Sequence, residues 1–215
     1  MIYSDTLIFD LDGTLLDTLY DLCDSTNYAL KECNFPERRL DEIKKFIGDG
    51  VEMLIRRAVP ENTEENKIQE CLSLFKIHYM HNSQNLTKPF NGILKLLKNL
   101  KNKGFKIAVI SNKFDKAVKN LCEDYFCGLI DIAIGESIDT PKKPSPDGVY
   151  KILKILKSDK NKTVMIGDSE VDIQTAKNAE IYSVGVLWGY RSEEILTNAG
   201  ADELVDTPER LEMIL

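Results

Sequence analysis

The feature that most constrains the fold is a series of short apolar runs, each rich in Val, Ile or Phe and each followed by a turn residue or an acid. They are too short for stable helices, and their composition favours buried strands of a parallel sheet. The runs are residues 7–9, 106–110, 130–134, 163–166 and 183–187. Apolar residues at helical spacing occupy 91–103, 146–157 and 170–178. Strands that alternate with helices predict a doubly wound α/β fold with a parallel sheet.

Residues 17–86 interrupt this alternation. They contain no convincing strand, and apolar residues recur at helical spacing over 19–33, 51–58 and 68–79. We therefore predict an all-helical insertion at 17–86. The remaining residues, 1–16 and 87–215, would form the sheet-containing core.

Composition restricts the class of protein. With 43% hydrophobic and 29% charged residues over 215 positions, the chain has globular composition. A formal net charge of -7 repels polyanions, so no nucleic-acid partner is expected. Five cysteines without a C-x-x-C pair suit a reducing compartment. Because the sequence shows no signal-peptide pattern and no apolar run of about 20 residues, we expect a cytoplasmic protein without a membrane partner. Its oligomeric state, monomer or homodimer, stays open.

The first segment that indicates chemistry is Asp10-Leu11-Asp12-Gly13-Thr14, directly after the first apolar run. In open α/β sheets, ligands bind beyond the carboxyl ends of the strands. Residues two apart in an extended segment point the same way, so Asp10 and Asp12 can both face that crevice. Gly13 allows a sharp turn. An acidic turn after a strand is also common without any function, so this segment gains weight only from the others.

A second acidic segment, Gly167-Asp168-Ser169-Glu170-Val171-Asp172, follows another apolar run. Acids in the first turn of a helix stabilise its dipole, but this does not explain acids at two different strand ends. Mg²⁺ prefers oxygen ligands in an octahedron and usually keeps some waters. The predicted metal-site residues are Asp10, Asp12 through its backbone carbonyl, and Asp168, with Asp172 and Ser169 close by or acting through water.

Two further segments offer groups that bind an anion. The Ser111 hydroxyl and the N–H groups around Asn112, just after the strand at 106–110, can hold phosphoryl oxygens. Lys143, between Lys142 and Pro144, can be aimed into the site ahead of a helix. There it would join Mg²⁺ in offsetting the repulsion between a phosphate and an aspartate. Taken alone, these segments are equally consistent with an ordinary turn and a solvated lysine.

Together these segments predict a two-step phosphoryl transfer. Asp10 attacks phosphorus and forms an aspartyl-phosphate. Asp12 protonates the leaving alkoxide and later deprotonates a water. Ser111, Asn112 and Lys143 hold the phosphoryl oxygens, so catalysis consists mostly of positioning and charge stabilisation.

Four motifs occur in a recognisable order: DLDGT at 10–14, SN at 111–112, Lys143, and GDSEVD at 167–172. In this order they resemble the haloacid dehalogenase superfamily, and within it the phosphoglycolate phosphatase-like group. The resemblance covers essentially the whole chain. It implies a Rossmann-like core with a helical cap inserted after the first motif, where the predicted insertion lies. It also implies that Asp10 is the nucleophile and Asp12 the acid/base.

Shorter and less specific sequence features also resemble the same group. They are Asp17 in the DGTLLD pattern, Asn112-Lys113, and the Trp188-Gly189-Tyr190 loop. The segment Gly48-Asp49-Gly50 resembles the cap loop thought to read the substrate, and it is a possible substrate-contacting loop here. One departure is Ala179-Glu180, where an Ala-Gly is common, and we expect it to alter only the local turn.

The sequence therefore predicts a Mg²⁺-dependent phosphatase for a small phosphorylated metabolite, with phosphoglycolate as the first substrate to try. A β-phosphoglucomutase-like phosphomutase shares all four motifs and stays open, as does a phosphatase for pyrophosphate or nucleoside monophosphates. A hydrolytic dehalogenase needs neither the acid Asp12 nor a metal. A receiver-type signalling domain would be smaller and would lack the helical insertion.

Overall fold

The computed structural model describes residues 2–215 and divides into two compact units. The core unit consists of residues 2–16 and 89–215, and the helical unit consists of residues 17–88. The chain thus returns to the core unit two residues later than the sequence analysis expects.

Within residues 2–215, eight strands form two sheets. They are β1 (Thr6–Phe9), β2 (Leu16–Asp17), β3 (Lys88–Pro89), β4 (Lys106–Phe114), β5 (Ile132–Glu136), β6 (Thr163–Gly167), β7 (Tyr182–Val186) and β8 (Glu203–Val205). Six of them make one sheet in the order β5-β4-β1-β6-β7-β8, and every neighbouring pair in it is parallel. The short strands β2 and β3 pair separately, at the two points where the chain passes between units.

The part of the chain that the structure describes also contains ten α-helices. The helical unit contains α1 (Leu19–Glu32), α2 (Leu40–Phe46), α3 (Val51–Ala58) and α4 (Glu65–Asn82). The core unit contains α5 (Ile93–Asn102), α6 (Asp115–Phe126), α7 (Asp147–Leu156), α8 (Glu170–Ala179), α9 (Glu193–Ala199) and α10 (Pro208–Ile214).

The core unit buries apolar residues on both faces of its sheet. Alternate residues of β1 point to opposite sides, so Leu7 and Phe9 pack in one cluster and Ile8 in the other. The first cluster includes residues of α5, α6 and α10, and the second includes residues of α7 and α8. Each fully buried Leu, Ile or Phe contributes about 1.5–3 kcal/mol of transfer free energy. Helices on both faces confirm the predicted doubly wound, Rossmann-like sheet.

The helical unit has its own core, in which α1 packs against α4. Leu30, Phe75 and Tyr79 are fully buried, and the rings of Phe75 and Tyr79 stack at 5.4 Å. Across residues 2–215, no helix is both long and apolar enough to cross a membrane.

One strand boundary differs from the prediction at a place that affects the site. Strand β4 runs on to Phe114, so Ser111 and Asn112 lie within the strand and not after it. The pairing of β4 with β5 shifts register between Ile110 and Phe114, so the backbone between them is extended but irregular. The apolar run ends before the strand does, and the boundary was therefore placed too early.

Candidate active site

The site lies at the carboxyl edge of the parallel sheet, where the three central strands end together. Phe9 of β1 is in register with Val109 of β4 and with Ile166 of β6. The residues that follow these three positions therefore emerge side by side. Asp10, Ser111 and Asp168 lie one or two residues beyond these positions, although they come from three distant parts of the sequence.

The loop after β1 closes tightly on itself. The N–H groups of Leu15 and Leu16 both donate to the carbonyl of Leu11, at 3.0 and 2.9 Å. Gly13 adopts a φ of +95°, and a Cβ at this position would collide with the carboxylate of Asp168. Only glycine therefore lets the loop after β1 approach the acid after β6.

Lys143 bridges two carboxylates in the interior of the site. Its Nζ lies 2.5 Å from Asp10 Oδ1 and 2.6 Å from Asp172 Oδ1. The lysine and both acids are buried. Burial alone would lower the pKa of Lys143, but the two carboxylates outweigh it and raise that pKa above its ordinary value. The ammonium therefore stays charged.

Asn112 fixes the backbone of Lys143. Its amide nitrogen donates to the Lys143 carbonyl at 3.0 Å, and its amide oxygen accepts the Lys143 N–H at 2.6 Å. The side chain predicted to bind phosphate thus holds the segment that carries the lysine. A phosphate contact through the backbone of Asn112 stays a prediction.

Asp168 is held by the loop after β7. Its Oδ2 accepts the N–H of Tyr190 at 2.6 Å, and Thr14 Oγ1 lies 3.4 Å from its Oδ1. A Cβ at Gly189 would collide with Asp168, so glycine permits this approach. Burial, followed by the charge of Asp172, raises the pKa of Asp168 to about 7, although the Tyr190 N–H opposes the shift.

Asp172 and Ser169 cap helix α8. The Ser169 hydroxyl donates to Asp172 Oδ2 at 2.6 Å, and the Ser169 N–H donates to the same oxygen at 3.1 Å. The other carboxylate oxygen contacts Lys143. Asp172 therefore supports the lysine and the helix terminus together.

Asp10 is the most constrained acid of the site. Burial raises its pKa well above the ordinary value; Lys143 lowers it, whereas Asp172, Asp168 and Asp12 raise it further. One ammonium therefore does not compensate the negative charge that surrounds this carboxylate.

A divalent cation fits this charge distribution. Asp10, Asp168 and Asp172 each offer a carboxylate oxygen, and these oxygens lie within 4.8 Å of one another. Hard divalent cations take such oxygen ligands. The raised pKa values of Asp10 and Asp168 indicate that ionising both requires more positive charge than Lys143 provides.

Ser111 is buried on β4, and its hydroxyl oxygen accepts the N–H of Lys113 at 3.2 Å. The hydroxyl is therefore oriented by the backbone two residues on. Its contact with a phosphoryl oxygen stays a prediction.

Lys113 was not predicted as a site residue. Its Nζ lies 2.9 Å from Asp12 Oδ1, and only 2% of its side chain is exposed. The available signal was its position directly after Ser111-Asn112, which resembles the phosphoglycolate phosphatase-like group.

The segment Gly48-Asp49-Gly50 lies between α2 and α3 of the helical unit. Both glycines have positive φ, +127° and +85°. The Asp49 carboxylate pairs with the Arg57 guanidinium, which also donates to the Phe46 carbonyl at 2.9 Å. Arg57 thus ties Asp49 of this loop to the end of α2.

Buried acids and lysines thus meet at the carboxyl edge of a doubly wound sheet, as expected for a hydrolase of the class that the sequence motifs resemble. The model of the haloacid dehalogenase-like hydrolase family matches residues 7–186. This is most of the chain, and the chain therefore belongs to that family.

Individual relatives narrow the class. The chain is 36% identical to phosphoglycolate phosphatase of Aquifex aeolicus, covering 86% of this chain and 85% of that protein. It is 32% identical to phosphoglycolate phosphatase of Colwellia psychrerythraea, covering 94% and 93%. The crystal structure of a proposed phosphoglycolate phosphatase from Lactobacillus delbrueckii subsp. bulgaricus superposes with a TM-score of 0.94 at 38% identity, covering 100% of this chain and 98% of that chain. The chain is thus a phosphatase of the phosphoglycolate phosphatase-like group.

Proposed function

We propose that the chain is a Mg²⁺-dependent phosphatase that hydrolyses 2-phosphoglycolate, or a closely similar small monoester, through an aspartyl-phosphate on Asp10. The observation that carries this proposal is the environment of Asp10: a buried carboxylate that contacts Lys143 and shares a cluster with Asp168 and Asp172. The Lys143 ammonium, together with a cation bound by the acids, would stabilise the negative charge of a phosphoryl group that Asp10 attacks.

In the first step, an Asp10 oxygen bonds to phosphorus while the bond to the ester oxygen breaks. Asp12 gives its proton to the departing alkoxide, so the leaving oxygen departs as a neutral hydroxyl group. The Lys143 ammonium and the Ser111 hydroxyl hold the equatorial oxygens, where charge accumulates. The product of this step is the acyl phosphate of Asp10 and the free alcohol.

In the second step, Asp12 takes a proton from a water, and that water attacks phosphorus. The bond between phosphorus and the Asp10 oxygen breaks, and inorganic phosphate leaves. The Asp10 carboxylate is restored, and Asp12 again carries the proton needed for the next ester.

A bound Mg²⁺ would neutralise charge on the transferring phosphoryl group. The residues proposed to hold it are Asp10, Asp168 and the backbone carbonyl of Asp12. Asp172 and Ser169 belong near it or act through water. Because one carboxylate oxygen of Asp172 contacts Lys143, we assign this acid chiefly to positioning the lysine.

The choice of substrate rests on relatives such as the two phosphoglycolate phosphatases of Aquifex aeolicus and Colwellia psychrerythraea, which are similar to this chain over most of their length. We further propose that residues 17–88 act as a cap that recognises the alcohol part of the ester. The loop Gly48-Asp49-Gly50 is the proposed reading element, and its anchoring by Arg57 supports this role because a fixed loop discriminates better than a free one.

We also propose that the protein acts in the cytoplasm on a free metabolite, without a nucleic-acid partner. The net charge of -7 and the five free cysteines support this. A monomer or a homodimer remains the prediction, which size-exclusion chromatography with light scattering would resolve.

The test is a screen of phosphorylated metabolites with Mg²⁺, with and without EDTA, measuring both inorganic phosphate and the alcohol. The proposal expects phosphate release from 2-phosphoglycolate that EDTA abolishes and that Asp10→Asn lacks. Isomerised sugar phosphate without net phosphate release would instead identify a phosphomutase. Full activity of Asp10→Asn would exclude the proposed nucleophile.

A further inference from the structure

The loop after β7, residues 188–191, has no part in the two proposed chemical steps, yet it lies against the loop after β1. The Trp188 indole N–H donates to the Thr14 carbonyl at 2.9 Å, and the Trp188 ring packs against the apolar core of the sheet. A Cβ at Gly189 would come within 2.5 Å of the Gly13 carbonyl oxygen, so the backbones of the two loops are in close contact. The loop after β1 is therefore held from the side of β7.

The same loop also holds the acid after β6 and the helix that follows it. The Tyr190 N–H donates to Asp168 Oδ2 at 2.6 Å. One residue further, Arg191 Nε lies 3.0 Å from Glu170 Oε2 in the first turn of α8, and only 9% of the arginine side chain is exposed. Residues 188–191 therefore connect two segments that are distant in sequence and that both carry proposed metal ligands.

We propose that Trp188 and Arg191 are positioning residues of the metal site: the loop that they hold fixes the distance between the loop after β1 and Asp168, and thereby sets the affinity and the selectivity for Mg²⁺. This inference rests on the proposed function, in which Asp10 and the Asp12 carbonyl hold the ion together with Asp168. Trp188 and Arg191 act through these ligands and do not themselves bind the ion.

The physical reason is the geometry that each divalent ion accepts. Mg²⁺ demands a near-ideal octahedron with oxygens at about 2.0–2.1 Å, whereas Ca²⁺ takes about 6–8 oxygens at about 2.3–2.6 Å in a flexible arrangement. Ligands from two different loops suit Mg²⁺ only when their separation is held within narrow limits. A loop after β7 that loses its contacts should therefore weaken the binding of Mg²⁺ more than that of Ca²⁺.

For Arg191, positioning and simple electrostatics predict opposite signs. A guanidinium close to the acids repels a cation, so the loss of its charge alone would tighten Mg²⁺ binding. The loss of its contact with Glu170 would instead release one end of the loop and weaken Mg²⁺ binding. The direction of the change therefore separates the two roles.

Isothermal titration calorimetry of metal-free protein with Mg²⁺ and, separately, with Ca²⁺ tests the inference. Trp188→Phe keeps an aromatic ring but removes the N–H that is donated to Thr14. Its Kd for Mg²⁺ should rise by roughly 10-fold or more, the usual effect of removing a partner of a metal-binding segment. Its Kd for Ca²⁺ should rise less. Arg191→Met should shift both constants in the same direction as Trp188→Phe.

Tyr182→Phe and Arg210→Met are the matched controls. Tyr182 lies at the amino end of β7, and Arg210 is exposed on α10. These variants remove an aromatic hydrogen-bond donor and a positive charge, and they should leave both Kd values unchanged. Thermal unfolding in EDTA verifies that each variant is folded.

An unchanged Kd for Mg²⁺ in Trp188→Phe would overturn the inference, as would an equal rise of Kd for both ions or tighter Mg²⁺ binding by Arg191→Met. Each of these results leaves the proposed function in place, since wild-type protein still binds Mg²⁺. If wild-type protein binds no Mg²⁺, the proposed function and this inference fail together.

Discussion

Both units bury aspartates, but the negative charge of these aspartates is compensated differently in the two units. In the helical unit, Asp21 is 2% exposed, and its carboxylate accepts the N–H groups of Leu86, at 3.0 and 3.1 Å, and of Thr87, at 2.8 Å. In the core unit, Asp10 and Asp168 are also buried, but they lie beside further carboxylates.

The difference separates an acid that the fold itself compensates from the acids that we propose to be functional. Backbone N–H groups are permanent donors, so the charge of Asp21 is compensated within the fold. The acids of the core unit repel one another, and burial raises the pKa of both Asp10 and Asp168. A ligand that brings positive charge would favour the ionised form of such acids.

The largest expected effect comes from Asp10→Asn. Removing the nucleophile should reduce kcat by about 10⁴-fold or more, as losses of catalytic nucleophiles do. Because burial opposes the charge of Asp10, the neutral amide should not lower the melting temperature. Phosphate release by the purified variant measures the loss of kcat, and thermal unfolding measures its melting temperature. A variant that unfolds would show that Asp10, like Asp21, is needed for stability, and would contradict the difference between the two units.

Metal binding should stabilise the protein through the acids of the core unit. At a concentration of Mg²⁺ about 100 times its Kd, the free energy of unfolding should rise by about 2.7 kcal/mol. Denaturant titrations with Mg²⁺ and with EDTA measure this. Asp168→Asn should abolish the rise and Asp21→Asn should preserve it. An unchanged rise in Asp168→Asn would remove that acid from the metal site.

The acid of the helical unit should matter for stability instead. Asp21→Asn retains one acceptor oxygen and weakens the bonds from Leu86 and Thr87, which should lower the free energy of unfolding by about 1–3 kcal/mol. Amide hydrogen exchange at residues 86 and 87 should accelerate. The kcat of the folded fraction should be nearly unchanged. A loss of kcat as large as that of Asp10→Asn would contradict a structural role.

The pH dependence of stability should distinguish the same acids. In metal-free protein the pKa of Asp168 is about 7, above its ordinary value of 3.8. The contribution of Asp168 to the free energy of unfolding is complete below pH 3.8, where its carboxyl group is protonated in both the folded and the unfolded chain. As the pH rises toward 7 the unfolded chain releases the proton first, and stability falls by up to about 1.4 kcal/mol per pH unit.

Free energies of unfolding in EDTA at about pH 5 and about pH 7.5 test this sign. The difference should shrink in Asp168→Asn and with saturating Mg²⁺, which holds the carboxylate ionised. A metal-free protein that is more stable at the higher pH would contradict the raised pKa of Asp168.

The central strands and the site motifs were predictable because hydrophobicity and chemistry coincide there. Apolar runs mark β1 and β6, and the acids that follow them must meet at one sheet edge once the strands are parallel. The helical patterns of α1, α3 and α4 were equally clear, since their buried residues repeat at helical spacing.

Other elements carry too little local signal. Strand β8 has three residues and lies at the sheet edge, so its pairing with β7 arises from packing and not from its own composition. Helices α2, α9 and α10 have seven residues each, too few for a clear period. Helix α6 is longer and has buried Val118, Leu121 and Cys122 at helical spacing, but it was not among the predicted helices.

Within the site, contacts between side chains were the least predictable part. The pairing of Lys113 with Asp12 depends on the irregular end of β4, and the hold of Asn112 on Lys143 depends on a loop 31 residues away. Motif spacing identifies which groups converge, but their partners are set by backbone geometry that no local pattern encodes.

The most direct measurement concerns the phosphorylation of Asp10 itself. Wild-type protein mixed rapidly with 2-phosphoglycolate and Mg²⁺ is quenched in acid, reduced with borohydride and digested for mass spectrometry. An acyl phosphate on Asp10 predicts homoserine at position 10, formed before steady state and absent in Asp10→Asn. Turnover without any such product, or with homoserine at another position, would contradict the account.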